Sequence, residues 1–290
     1  MNLEHELKVA KSIAIKGGKL ALSLRNNLAI TQKANGEGPV TNADIAVDQL
    51  LVSELAKEFP DDQIISEESF LSNVQIEGAR TWFVDPIDGT SRYIVGGDDF
   101  SVMIGLSING IPRLGVIYQP APDILWWGIF SEDPITRHAE KIDHTGSKSI
   151  VLDLPNEPPL ELTMLASRSH PSQKQEMMIK ELNPKNVRMN GSLGLKAMLI
   201  LGDDADIYVA WSKAIKKWDT CAATAILKAA GANMTFIDNE ELSFLGPIAH
   251  EKPIMMLSFI PDKKLLETLN GINNGTIKQQ RLFKPTEEPL

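Results

Sequence analysis

Two apolar, β-branched runs, residues 101–108 and 114–119, flank Asn109-Gly110. That dipeptide accepts positive φ at two successive positions and so closes a tight hairpin. A third run, 124–130, follows at the same spacing. Three strands in line predict an antiparallel meander, and such a sheet needs other elements to cover its apolar faces. Two amphipathic segments precede it. Leu3, Leu7, Ala10, Ala14, Ala21 and Leu24 recur at helical spacing, despite Gly17-Gly18. Val47, Leu50, Leu51, Leu55 and Phe59 form the apolar face of a helix that starts near Thr41 and stops at Pro60. Between helix and meander, residues 63–66 and 81–84 are short strand-like runs that lead straight into acidic residues.

Beyond the polar stretch 131–148 the pattern becomes alternating. Strands are expected at 162–165, 186–189, 206–209 and 234–237, with helices from about Pro171, at 193–201 and at 219–230. The chain therefore divides into an N-terminal part, 1–150, with an antiparallel sheet between helices, and a C-terminal α/β part, 151–290. The boundary falls in the polar, Pro-containing segment 131–159. No repeat or low-complexity tract is present, and 278–290 has the character of a tail.

Composition narrows the function. The single cysteine, Cys221, excludes an intrachain disulfide and a cysteine-clustered zinc or iron–sulfur site within one chain, and it suits a reducing cytoplasm. Charged residues scattered through the first 24 positions leave no signal-peptide core, and no apolar run is long enough to cross a membrane. A net charge of −9 argues against binding nucleic acid through a basic surface. It leaves open phosphate chemistry in a metal-lined cleft. No Walker A loop, Gly-x-Gly-x-x-Gly or His-Glu-x-x-His occurs, which removes kinase, dehydrogenase and zinc-protease expectations.

The segment Trp82-Phe83-Val84-Asp85-Pro86-Ile87-Asp88-Gly89-Thr90 carries the most chemistry. Its turn can aim the Asp85 and Asp88 carboxylates and the Ile87 carbonyl at one point, a set of hard oxygen donors suited to Mg²⁺. Asp, Pro and Gly also dominate ordinary turns. Glu67-Glu68 ends another strand, Asp219 stands where a helix begins, and Asp44 lies three residues after Thr41. Each has a structural alternative: a solvated loop for the glutamates, an N-cap for Asp219, a capping arrangement for Asp44. Were all of them to converge, their repulsion would call for divalent cations. Trp82, Trp126 and Trp127 sit in strand patterns and are expected in the core or an interface, and Cys221 as a buried small hydrophobe.

Glu67-Glu68-Ser69, Asp85-Pro86-Ile87-Asp88-Gly89-Thr90, Trp218-Asp219-Thr220-Cys221-Ala222-Ala223 and Ala229-Ala230-Gly231 together resemble the inositol monophosphatase superfamily of lithium-sensitive phosphatases, from the first helix to about Ile260. The resemblance implies an α+β fold, a layered αβαβα sandwich with the active site at the junction of its halves. It implies a phosphoric monoester hydrolase with two to three Mg²⁺ ions. Glu67, Asp85 and the Ile87 carbonyl would hold one ion, and Asp85, Asp88 and Asp219 a second. Asp44 and Glu67 would lie beside a third, with Thr90 orienting the attacking water. Backbone N–H groups of Gly89, Thr90 and Ser91 would grip the phosphate if they open a helix.

Gly38-Pro39-Val40-Thr41-Asn42-Ala43-Asp44, residues 97–105, Ala166-Ser167-Arg168-Ser169-His170 and Gly191-Ser192 before a helix with Lys196 look most like the bacterial 3'(2'),5'-bisphosphate nucleotidases of that superfamily. This implies release of the 3'-phosphate of adenosine 3',5'-bisphosphate, the by-product of sulfate activation and sulfotransfer, with His170, Ser192 and Lys196 contacting the nucleotide. The residues allow simpler roles: His170 near a helix cap, Ser192 as a helix start, Lys196 as a solvated side chain. Lys196 stands four residues after the serine rather than three, and an arginine often present after the following tyrosine is Ala210. Activity on myo-inositol 1-phosphate or fructose 1,6-bisphosphate is the alternative on the same scaffold, and a catalytically silent metal-binding scaffold the alternative of another class. Relatives include monomers and dimers, so a homodimer is among the expected states.

Overall fold

The structure is a computed structural model that describes residues 2–33, 38–70, 75–76, 80–168, 172–212 and 215–277. The tail 278–290 and His170 lie outside them. Helix α1, Glu4–Leu24, turns Leu7, Ala10, Ile13, Ala14 and Ala21 inward. Gly17 and Gly18 lie mid-helix, where each costs about 1 kcal/mol relative to Ala. Close packing explains them. A β-carbon on Gly17 would stand 3.0 Å from the Leu51 side chain, and one on Gly18 would meet Tyr118 at 2.5 Å.

A short hairpin follows, β1 (Ile30–Gln32) with β2 (Pro39–Thr41), and leads into α2, Asn42–Glu58. Then come β3 (Gln63–Ser66), β4 (Gln75–Ile76), β5 (Arg80–Asp88) and the single-turn α3 (Thr90–Ile94). The meander is β6 (Ser101–Ile108), β7 (Ile111–Gln119) and β8 (Ile124–Ile129). Its first turn is made by Asn109 at φ 52° and Gly110 at φ 76°, the doubly left-handed turn that matches strand twist. The stretch 131–148, expected to be merely polar, folds after a 3₁₀ turn into β9 (His138–Asp143) and β10 (Gly146–Ser149). These extend the sheet at its half-exposed edge, where polar residues are tolerated.

The second sheet takes β11 (Thr163–Ser167), β12 (Asn186–Asn190), β13 (Ile207–Ala210), β14 (Asn233–Phe236) and β16 (Ile254–Leu257), with β15 (Gly246–Pro247) pairing instead with β4. Helices α4 (Gln173–Leu182), α5 (Leu193–Leu201), α6 (Lys217–Ala230) and α7 (Lys263–Asn274) complete the chain. In the first sheet β3 and β5 are parallel and the other neighbours antiparallel; in the second, β16 runs antiparallel between β13 and β14. β16 and α7 lie beyond the segments expected from periodicity.

Three apolar clusters define the layers. One joins α1 and α2 to the first sheet, a second fills the space between the sheets around α5 and α6, and a third joins the second sheet to α4 and α7. The order is α, β, α, β, α. The central helix α6 lies on the first sheet almost backbone to backbone. Gly105 pairs with Gly115 and Gly115 with Gly128, so three adjacent strands carry glycines side by side. A β-carbon on Gly115 would stand 2.1 Å from the Ala222 carbonyl oxygen, one on Gly105 2.6 Å from the Ala222 nitrogen, and one on Gly128 2.9 Å from Ile226 Cα. The backbone of α6 cannot retreat without opening the core on its other side.

Gly115→Val should therefore lower unfolding stability by about 3 kcal/mol in urea titration, the upper range for an overpacked core. A variant as stable as wild type would show that α6 has room.

Candidate active site

Strand β5 delivers two aspartates because its ladder breaks between them. Asp85 pairs with Met103 and Asp88 with Ser101, so the span Asp85 to Asp88 is one residue longer than its partner. Pro86, which has no N–H to donate, sits in that bulge. The Ile87 N–H turns to Asp85 Oδ1 at 3.1 Å. Gly89, at φ 102°, then starts α3, a conformation that costs a side chain dearly. Parallel pairing sets Ser66 beside Val84, and Glu67 N–H donates to the Val84 carbonyl at 3.1 Å, so β3 ends next to Asp85.

Asp44 and Asp219 each serve a helix end and the site together. Thr41 and Asp44 form a reciprocal capping box at the start of α2, with Asp44 Oδ2 accepting from Thr41 N at 2.8 Å. Asp44 Oδ1 accepts from Thr90 Oγ1 at 3.0 Å, and the same hydroxyl lies 3.0 Å from the Ile87 carbonyl oxygen. Asp219 is the third residue of α6 rather than its N-cap, and accepts from Lys216 N–H at 2.7 Å.

The charges show that these groups share one site. Burial pushes the Asp85 carboxyl well above its ordinary range, and the charges of Glu67, Asp88 and Asp219 push it further. Burial raises Asp219 likewise, followed by the Glu67 charge. Glu68 is pushed up to about 7 by burial and by Glu67. Lys33, absent from the expected set, partly offsets this repulsion. Its ammonium lies 2.6 Å from Glu67 Oε1 and 2.7 Å from Glu68 Oε1. Burial works against that ammonium, but the two glutamates outweigh it and hold its pKa above the ordinary value. Asp48, one turn after Asp44 on α2, was also missed; buried, it accepts from the Ser66 hydroxyl. Its i, i+4 spacing from Asp44 was the available signal.

Asp88 is placed differently from its neighbours. Both of its oxygens face the start of α5, where they accept from Ser192 Oγ at 2.5 Å, Gly194 N at 2.7 Å and Leu193 N at 3.1 Å. It thereby ties the first sheet to the second half of the chain. Ser192 is the N-cap of α5, accepting from Leu195 N–H at 3.0 Å, and also Asp88's partner. Lys196 is not solvated: it is 2% exposed, its ammonium 4.8 Å from the Tyr208 ring centroid and 3.3 Å from the Asn190 carbonyl. Burial lowers its pKa to about 8.

A cleft of about 200 Å³ has Glu67, Asp88, Thr90, Ser91, Lys196 and Asp219 in its wall, with Gly89 beside them. A larger cavity of about 440 Å³ on the other flank of α5, near Trp126 and Met198, lies away from this convergence. Among the described residues, no three acidic, histidine or cysteine side chains already stand as a finished coordination sphere. Lys33 engages Glu67, and the start of α5 engages Asp88. The donor set still fits Mg²⁺: oxygen ligands only, from buried carboxylates whose like charges raise one another's pKa, a repulsion that a divalent cation relieves. One contact joins the segments that carry Glu67 and Asp219. Phe70, two residues past Glu68, packs on Trp218, beside Asp219, with ring centroids 4.8 Å apart.

Phe70→Ala should weaken Mg²⁺ binding about tenfold by calorimetry while leaving the circular dichroism spectrum unchanged; unaltered affinity would show that the aromatic pair does not hold the ligands in register. The raised carboxyls also predict a pH effect. A folded state whose acids bind protons more tightly than the unfolded chain loses stability as pH rises through their folded values, here about 7 for Glu68. In EDTA, Tm should be lower at pH 8 than at pH 6, and added Mg²⁺ should narrow the gap; a flat profile would contradict the assigned repulsion.

Comparison with known proteins identifies the family. The profile of the Inositol monophosphatase family matches residues 2–273. The 3'(2'),5'-bisphosphate nucleotidase CysQ of Buchnera aphidicola is 32% identical over 197 residues, 68% of this chain and 70% of that protein. The 3'(2'),5'-bisphosphate nucleotidase 1 of Mus musculus is 29% identical over 280 residues, 83% of this chain and 86% of that protein. Among solved structures, CysQ from Bacteroides thetaiotaomicron superposes with a TM-score of 0.72 at 25% identity, covering 89% of this chain and all (100%) of its own. No helix of the described residues is long and apolar enough to cross a membrane. The chain belongs to the inositol monophosphatase family and is a phosphomonoester hydrolase.

Proposed function

We propose that the protein is a Mg²⁺-dependent 3'(2'),5'-bisphosphate nucleotidase that converts adenosine 3',5'-bisphosphate to AMP and phosphate. The observation that carries this is Lys196, a cation buried in the wall of the carboxylate-lined cleft with one long hydrogen bond to a carbonyl. Burial outweighs the attraction of Asp88 and Asp99 at that ammonium. The second phosphate of a bisphosphate would add an anion in the cleft itself. The names of the mouse and Buchnera relatives point the same way.

Glu67, Asp85, the Ile87 carbonyl, Asp88 and Asp219 would hold the metal, with Asp44 beside it. Bound Mg²⁺ would lower the pKa of water and stabilise the charge developing on the leaving oxygen. The chain's own groups do the rest. Thr90 Oγ, fixed between Asp44 and the Ile87 carbonyl, offers a lone pair to the attacking water and sets its line of approach. Asp44, its carboxyl raised by burial, accepts the Thr90 proton in that relay. A bond from water oxygen to phosphorus forms and the bond to the 3' oxygen breaks; one water proton passes through Thr90 to Asp44, and the departing alkoxide takes a proton from solvent, leaving the 3'-hydroxyl and phosphate. Gly89, Thr90 and Ser91 line the cleft where the phosphate would sit, and Lys196 in the same wall would meet the second phosphate, with Ser192 behind it holding Asp88. Lithium is expected to inhibit. The unpaired, buried Cys221 supports a reducing compartment such as the cytoplasm.

Phosphate release from adenosine 3',5'-bisphosphate, myo-inositol 1-phosphate and fructose 1,6-bisphosphate, each with Mg²⁺ and with EDTA, tests this assignment. The nucleotide should lead in kcat/KM by about a hundredfold, worth roughly 2.7 kcal/mol at the transition state, and only with Mg²⁺. A lead for either of the other esters would overturn it.

A further inference from the structure

The first turn of α6 works on two sides. Asp219 lines the cleft, and Thr220, the next residue, points about 100° away around the helix, into a fully buried space. There its hydroxyl meets the imidazole of His250, itself buried, with Oγ1 and Nε2 2.8 Å apart. The rest of that segment grips the same turn. Lys217 N–H, a donor that a helix start leaves without an internal partner, donates to the Ile248 carbonyl at 3.0 Å. Lys217 Nζ donates to the Leu245 carbonyl, and His250 N–H to the Ile215 carbonyl at 2.9 Å. The imidazole also reaches toward the strand that carries Asp85. Its ring stands edge-on to Phe244, with centroids 6.1 Å apart, and Phe244 stands edge-on to Phe83 at 5.7 Å. Phe83 lies two residues before Asp85 in β5.

A phenyl ring would fill the space between α6 and Phe244, so packing alone does not call for an imidazole. The bond to Thr220 does. Burial, helped by the Lys217 charge, pushes the His250 pKa down to about 3, so the ring is neutral near pH 7 and the bond is made without a charge. A buried side-chain hydrogen bond fixes direction as well as distance, which apolar contact does not. Resting on the metal assignment above, we propose that His250 is a positioning residue for the Mg²⁺ site: through Thr220 it sets the rotation of the first turn of α6, and through Phe244 it ties that turn to β5, so that Asp219 and Asp85 serve one ion together.

Calorimetric titration of Mg²⁺ into wild type, His250→Phe, Thr220→Val, the double variant and Leu269→Ala tests this, with the Tm of each measured alongside. His250→Phe keeps an aromatic ring and Thr220→Val keeps the branched shape, and each removes the bond. Leu269, on α7, belongs to the outer apolar cluster, so its truncation costs stability away from the metal ligands. Each single variant should bind Mg²⁺ about tenfold more weakly, the low end for losing a group behind a metal ligand. The double variant should bind no more weakly than the worse single, because both lose the same bond. Leu269→Ala should lower Tm and bind Mg²⁺ as wild type does. Wild-type affinity in His250→Phe and Thr220→Val, additive losses in the double variant, or an equal loss in Leu269→Ala would each overturn the positioning role while leaving the metal assignment intact. No Mg²⁺ binding by wild type would overturn both. Should His250→Phe fail to fold, Thr220→Val set against Leu269→Ala carries the same outcomes.

Discussion

The close seat of α6 on the first sheet is the constraint on which the rest depends. Gly105, Gly115 and Gly128 remove every β-carbon that would hold the helix away, and Ala222 fills the space they leave. Helix–sheet distance is thereby set by backbone contact, which is stiffer than contact through long side chains. The first turn of α6 carries Asp219, and the strand end beneath it carries Asp85. The charge of Asp219 acts on Asp85 across that close packing.

That rigidity makes the site costly. Buried like charges raise one another's pKa, and the fold answers with the neutralising groups it has: Lys33 against Glu67 and Glu68, the start of α5 against Asp88, and helix caps against Asp44 and Asp219. Each answer also fixes geometry. Asp88 joins the two sheets through α5, the Asp44 cap presents its second oxygen to Thr90, and Phe70 packs on Trp218, next to Asp219. Structural and chemical roles here are the same contacts, seen from the helix or from the cleft.

Several local alternatives left open by the residues prove to be compatible. Asp44 caps a helix and meets Thr90; Ser192 caps a helix and binds Asp88. The exception is Lys196, whose helical position allowed a solvated side chain and which is instead buried against Tyr208. Helical spacing shows which residues share a face, and it does not show that α5 is covered on nearly every side.

The sequence by itself determined the elements whose signals are local: the Asn109-Gly110 turn, the amphipathic face of α2, the break at Pro86 and the acids that end β3 and β5. Periodicity and turn chemistry depend on residues a few positions apart, so they survive without the fold. Tertiary structure alone decided that β9 and β10 extend the sheet, that β16 inserts antiparallel between β13 and β14, and that Lys33 and Asp48 join the acids. Those facts rest on contacts between residues distant in sequence, whose energies follow from distance and burial, and neither is written in any short stretch of chain.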